Sequence, residues 1–160
     1  MLFHIAPQHG GAYGIVDELG LPRLERMVRK HHDLKFIGHS AAFWSEISEG
    51  CTQETRNGYP KGKVVEGRLP RLLREYGNLY CDLSAGSGSN AMMRDPEYAA
   101  KFMEEFSDRI FYGIDSCTYD RDTFPYTFDA WLTKMVEDKM LSQETYEKII
   151  RRNAEKILGI

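Results

Sequence analysis

Four short apolar runs in this chain each lead to a polar side chain. His4 follows Leu2-Phe3, and His39 follows Phe36-Ile37-Gly38. Asp82 follows Leu79-Tyr80-Cys81, with Ser84 two residues on, and Asp115 closes Ile110-Phe111-Tyr112-Gly113-Ile114. Such a run reads as a strand buried in a parallel sheet, with its last polar residue delivered at the carboxyl edge. Parallel α/β folds carry their chemistry at that edge. Imidazole nitrogen and carboxylate oxygen suit Zn²⁺ or a similar divalent ion, and two His with one carboxylate is a catalytic ligand set that leaves a position for water. His4, His39 and Asp115 are therefore the candidate metal ligands, expected to converge if the strands stand side by side in a barrel wall. A bound divalent cation brings the pKa of water down toward about 7, and Asp115 is then suited to take the proton as that water attacks a carbonyl. The plainer reading of each histidine is a hydrogen-bonded structural group at a strand end.

Further residues carry two readings each. Asp82 and Ser84 bind substrate, or Asp82 pins its loop through backbone N–H groups. Arg94 pairs with a substrate carboxylate, or it is a surface arginine. His9, in the glycine-rich first loop, is a candidate for lining a pocket. Trp44, beside Phe43, walls a pocket or simply packs. Gly86-Ser87-Gly88-Ser89 is a weak anion-cradle signal. Cys117 lies near the candidate site but has no evident base partner, while His31 and His32 read as structural residues of a helix end.

The elements that must position these groups come in order along the chain. The first strand, over 2–5, runs into a glycine-rich loop. A helix with Pro22 in its first turn comes next, carrying Leu21, Leu24, Met27, Val28 and His31 on its inner stripe. Leu34 to Gly38 form the second strand. The polar stretch over 45–63 is long for a connection, and reads as a flap beside the site or as a decorative loop. Leu69, Leu72, Leu73 and Tyr76 stripe the next helix, and the third strand covers 79–83. The segment 84–90 reads as a loop before a helix capped by Asp95 with Pro96 at its first position. A fourth strand, over 110–113, precedes a helix presenting Phe128, Trp131, Leu132, Met135 and Val136. Ser142 caps the last helical region, whose stripe is Tyr146, Ile149, Ile150, Ile157 and Leu158. Asn153 falls on that stripe, so it is expected to be buried and hydrogen-bonded. A complete eightfold barrel takes about 250 residues; four β-loop-α units are half of one.

The chain has 160 residues, 42% hydrophobic and 28% charged, with a net charge of −3. That is an ordinary composition for one soluble domain over 1–160. Without a basic stripe there is no reason to expect nucleic acid, and no apolar run approaches the roughly 20 residues of a membrane span. No signal-peptide pattern precedes the first strand. Cys51, Cys81 and Cys117 are odd in number and widely spaced, which fits free thiols in a reducing, cytoplasmic setting. His4 stands so near the first residue that further natural sequence before it is expected.

At these residues the chain resembles the amidohydrolase superfamily, in its branch of amidohydrolase-related metal-dependent hydrolases and decarboxylases. Leu2-Phe3-His4 looks like the end of barrel strand five, and Lys35-Phe36-Ile37-Gly38-His39 like strand six. Asn78 to Ser84 looks like strand seven, and Arg109 to Asp115 like strand eight. The tail, with Asn153-Ala154 and Leu158-Gly159, is similar to the family's closing helices. The resemblance implies an α/β fold, the C-terminal half of a (β/α)8 TIM barrel. It implies His4 as a metal ligand, His39 as a second ligand or a hydrogen-bond donor, and Asp115 as ligand and proton acceptor. Zn²⁺ is the first expectation for the cofactor, with Mn²⁺ and Fe²⁺ the alternatives. The implied activity is hydrolysis of a small carboxylated, amide or ester substrate, with decarboxylation a close relative. The family's first-strand His-x-His pair is missing, and His31-His32 cannot replace it, being adjacent and helical. A non-catalytic half-barrel that binds or oligomerises is therefore the competing expectation. Open sheet edges predict a homodimer or association with a missing N-terminal half, and three remaining ligands predict weak metal binding.

Overall fold

The computed structural model describes residues 1–8, 13–115 and 126–160, and the chain forms two compact units, Met1–Cys81 and Asp82–Ile160. In the first unit the elements are β1 (Leu2–Ala6), β2 (Ile15–Val16), α1 (Pro22–Lys30), β3 (Phe36–His39), α2 (Ala41–Trp44), a 3-10 turn (Ser45–Ile47), α3 (Arg68–Glu75) and β4 (Leu79–Asp82). The strands are parallel in the order β2-β1-β3-β4. Leu2 faces Ile37 and Phe3 faces Gly38 across one ladder, while Phe36 faces Leu79 and Gly38 faces Cys81 across the next.

Because strand side chains alternate, this register sorts the residues into two faces. Phe3, Ile5, Phe36, Leu79 and Cys81 are buried on one, together with Leu24 and Val28 of α1, Phe43 of α2 and Leu69, Leu72 and Leu73 of α3. Leu2, His4, Ile37, His39 and Tyr80 fall on the other, where Leu2 is exposed and Ile37 and Tyr80 are half-buried. Gly38 belongs to the covered face for a steric reason. A Cβ there would sit 2.2 Å from the ring of Phe43.

Two features of this unit depart from expectation. The short strand β2 was not anticipated. It pairs with Ile5 and Ala6 alone, so it lengthens the sheet beside the end of β1. The stretch after His39 is helical at first and then runs as turns and irregular backbone over 49–63. Its first part is α2 and the 3-10 turn, capped by Ser40, whose Oγ accepts the Phe43 N–H at 3.1 Å and donates to Ile5 O at 2.7 Å. Farther on, Arg56 is fully buried and donates from Nη1 to Asp17 O at 2.7 Å, and Gln53 Nε2 donates to Pro7 O. An arginine hidden inside a polar loop leaves no periodic signal, which is why the anchor is invisible in the sequence.

Asp17 explains how α1 starts. Leu21, at the cap position, has φ of 57° and no side-chain cap. Asp17 reaches over instead: its Oδ1 accepts the Arg23 N–H at 3.0 Å and its Oδ2 the Leu24 N–H at 2.8 Å. Carboxylate charge at a helix N-terminus is stabilising. At the other end, the Asn78 amide nitrogen shares its two hydrogens among the carbonyls of Val28, His31 and Leu34, all within hydrogen-bond distance, tying the exit of α1 to the start of β4.

Glu46 is buried beside Arg56, with Oε1 accepting the Gly20 N–H at 2.8 Å and lying 3.8 Å from Arg56 Nη2. Burial pushes its carboxyl above the ordinary range, against the pull of the Gly20 N–H and the Arg56 charge. A carboxyl raised on folding makes the protein less stable as pH climbs from the unfolded value through the folded one. Glu46→Gln keeps the acceptor for Gly20 without the charge. Its melting temperature should exceed the wild type's at pH 8, and the gap should close near pH 4. Equal melting temperatures at pH 8 would refute the assignment of burial as the dominant cause.

The second unit starts at the last residue of β4 and contains α4 (Ala85–Met93), α5 (Pro96–Glu105), a 3-10 turn (Ser107–Arg109), β5 (Ile110–Phe111), α6 (Tyr126–Glu137), α7 (Gln143–Glu147), a π turn (Lys148–Arg152) and α8 (Asn153–Leu158). Within this unit Leu83 N–H donates to Phe111 O at 2.8 Å. Phe102, Met103, Phe106, Ile110, Phe128, Leu132, Met135 and Ile149 are buried within this unit. Asp95 caps α5 by accepting the Tyr98 N–H, and Pro96 takes the first turn, as the sequence implies.

Here too there are corrections. Ser84 to Asn90, read as a loop, is largely the helix α4; glycine and serine carry little helix propensity, but Gly88 lets the helix rest directly on the Leu83 backbone. The last helical region is interrupted. In the π turn Asn153 N–H reaches back to Lys148 O, and Ile149 O accepts the Tyr112 N–H at 2.9 Å. Leu158, expected on the inner stripe, is 68% exposed. Asn153 is buried and hydrogen-bonded, as expected. The architecture is α/β with parallel strands, consistent with part of a TIM-barrel-like fold.

Candidate functional site

The register of β1 and β3 pairs His4 with His39, so two imidazoles leave adjacent parallel strands on the same face. Their ring centres are 5.4 Å apart with planes inclined by 55°. Tetrahedral Zn²⁺ with bonds of about 2.0–2.1 Å holds two imidazole centres roughly 5 Å apart. The spacing of the two rings is the one that two ligands of such a cation would have. Among the described residues, however, no three His, Cys, Asp or Glu side chains gather closely enough to hold a metal.

His4 is half-buried and His39 is buried. Tyr13 lies over His4, with ring centres 4.4 Å apart and planes inclined by 40°. Behind it Gly14 adopts φ of +116°, where an added Cβ would meet His4 O at 2.5 Å and His4 Cδ2 at 2.8 Å. Only glycine allows that approach. Neither residue was singled out from the sequence; the density of glycines around position 14 was the available signal.

In the second unit Asp82 is buried and pins the turn that leaves β4. Its Oδ1 accepts the Ser84 N–H at 3.0 Å and its Oδ2 accepts the Ser84 hydroxyl. Of its two readings, loop pinning is the one these bonds describe. Gly113 backs the pair: a Cβ there would lie 3.0 Å from Asp82 Oδ1 and from Ser84 Cβ. Asp115 stands two residues later, exposed, with φ of 43°.

Strand-end positions also concentrate backbone strain. Ser40 directly after His39 has φ of 118°, Ala85 directly after Ser84 has φ of 59°, and Asp115 itself is left-handed. Non-glycine residues held at positive φ cost on the order of 1 kcal/mol or more each and cluster where geometry serves function.

The remaining candidates separate cleanly. Trp44 is buried against Phe43, with ring centres 5.5 Å apart. Arg94 closes α4, half-buried, and desolvation lowers the pKa of its guanidinium. Cys81 is buried in the core as a thiol. His9 and Cys117 lie outside the described residues. No described helix is long and apolar enough to cross a membrane.

Comparison with known proteins adds one finding. No match was found among curated proteins or among solved structures. The family model described as Amidohydrolase matches residues 9–160, nearly the whole chain, and it takes in His39, Asp82 and Asp115 at their strand ends. The chain belongs to the amidohydrolase family.

Proposed function

We propose that this chain contributes to a metal-dependent hydrolase that acts on a small substrate bearing a carboxyl, amide or ester group. Family membership supports hydrolase or decarboxylase chemistry in general, and divalent metals are common in that family. The single observation that carries the finer reading is the imidazole pair, spaced for a shared cation at the ends of two adjacent strands. The strands β1, β3, β4 and β5 would correspond to barrel strands five to eight, with β2 outside that count. A cytoplasmic setting, read from the cysteines, belongs to the same proposal.

In this reading His4 and His39 hold a divalent cation, Zn²⁺ first. When bound, such an ion supplies a nucleophile from water at neutral pH and polarises a carbonyl. Asp115 accepts the proton that the attacking water gives up, and returns it to the leaving group. Asp82 holds Ser84 so that its hydroxyl and the start of α4 keep their place beside the strand end. Arg94 is the residue proposed to meet a substrate carboxylate, and His9 to line the pocket.

The test is hydrolysis of chromogenic ester and anilide probes, with and without added Zn²⁺. His39→Ala should lower zinc-dependent turnover by about 100-fold or more, and Asp115→Asn by roughly 10²- to 10⁴-fold, the range of a lost general base. Zinc-stimulated hydrolysis indifferent to both changes would overturn the assignment. A second reading is a non-catalytic half-barrel that self-associates through its sheet edges. It predicts no turnover in the wild type or in either variant.

A further inference from the structure

We infer that Tyr13 and Gly14 form a clamp that fixes the orientation of the His4 imidazole toward His39. The inference rests on the proposed metal reading only for its consequence, not for the clamp itself. Tyr13 is 76% exposed, so its large ring gains little from burial and has no core to serve. Yet it stands 4.4 Å from the His4 ring, which in turn stands 5.4 Å from His39, so three rings succeed one another in a row. Aromatic rings at such distances attract one another beyond area burial, which favours one ring orientation among several.

The backbone enforces the arrangement. Immediately after the clamp, Ile15 and Val16 are hydrogen-bonded as β2 to Ile5 and Ala6, the two residues next after His4. The same strand that carries the imidazole therefore anchors the segment lying over it. Gly14, at φ +116°, presses against the His4 carbonyl and Cδ2 with no room for a side chain. Tyr13 is held against one side of the imidazole, and His39 stands within ring contact as well. Groups that orient a metal-binding histidine change affinity by about 10- to 100-fold when removed. Tyr13 is a positioning residue in this sense, since it would act through His4.

The experiment uses the full chain and two readouts. The His4 ring protons, assigned by their loss in His4→Gln, should be shifted upfield by the Tyr13 ring in the wild type and in Tyr13→Phe. In Tyr13→Ala they should move toward the positions of an exposed histidine. Zinc titration by calorimetry should show affinity about 10-fold or more weaker in Tyr13→Ala and Gly14→Ala, and within about 3-fold of wild type in Tyr13→Phe. Removing an exposed ring leaves the core intact, so Tyr13→Ala remains informative even if Gly14→Ala does not fold. Unchanged His4 proton shifts in Tyr13→Ala would overturn the clamp, as would a Tyr13→Phe variant as weak for zinc as Tyr13→Ala. If the wild type binds no zinc through His4, the metal reading fails, and the clamp is still decided by the proton shifts.

Discussion

Gly88→Ala is expected to destabilise the protein by about 3 kcal/mol, at the upper end of what overpacking costs. The sign is the informative part. Gly88 is inside α4, where alanine ordinarily adds about 1 kcal/mol of helix stability. A Cβ on Gly88, however, would lie 2.4 Å from Leu83 O and 2.5 Å from Leu83 C and Cα. Those are backbone atoms, so no rotamer change relieves the clash. Either α4 withdraws or Leu83 shifts, and Leu83 N–H is committed to Phe111 O. Because Asp82 and Ser84 flank Leu83, the candidate site is disturbed together with the fold. For a chain of this size the melting temperature should fall by roughly 6–12 °C. Gly77→Ala is the control, since nothing lies within 4 Å of its Cβ position, and it should stay within about 0.5 kcal/mol of wild type. Equal melting temperatures for the two variants would show that α4 does not rest on Leu83 as described.

That contact also shows where sequence reasoning reached its limit. The buried strands were legible because each carries bulky apolar residues up to a polar end, and burial of Phe3, Phe36, Leu79, Cys81 and Ile110 is the direct consequence of that pattern. Pairing His4 with His39 needed only the assumption that consecutive parallel strands lie adjacent. The helix α4 was not legible. Its residues, Ala85-Gly86-Ser87-Gly88-Ser89-Asn90-Ala91-Met92-Met93, have neither strong propensity nor an apolar stripe, and what makes it a helix is close backbone packing that only a glycine permits. Arg56 was hidden for a related reason. A charged residue in a polar loop gives no hint of burial, and its Nε and Nη2 have no hydrogen-bond partner among the described residues. Tyr13 was overlooked because an aromatic residue after a glycine-rich loop has no period to betray it. Local pattern therefore revealed which residues end the strands, while contacts between distant segments decided what surrounds them.

Asn153→Asp tests a buried polar anchor that the sequence did reveal. The Asn153 amide donates to Ser107 O at 2.6 Å and to Ile110 O at 2.8 Å, and the residue is 5% exposed. It ties the start of α8 to the turn before β5, the strand that leads on to Asp115. An ionised aspartate has no donor to offer and would aim its charge at two carbonyl oxygens. The cost at pH 7 should be about 4 kcal/mol, the scale of an uncompensated buried charge. Protonation restores one donor, so the folded state would hold the proton more tightly than the unfolded one. The folded pKa is then raised above about 3.9. The variant should be closest to wild type below that value and should lose stability as pH rises through its folded pKa. Asn153→Ala instead leaves two carbonyls unpaired at every pH, costing about 2–3 kcal/mol without a pH trend. Melting curves of both variants at pH 4, 5.5 and 7 separate the effects. If Asn153→Asp merely tracks Asn153→Ala across that range, the amide's two donated bonds are not what holds the last helix against the turn before β5.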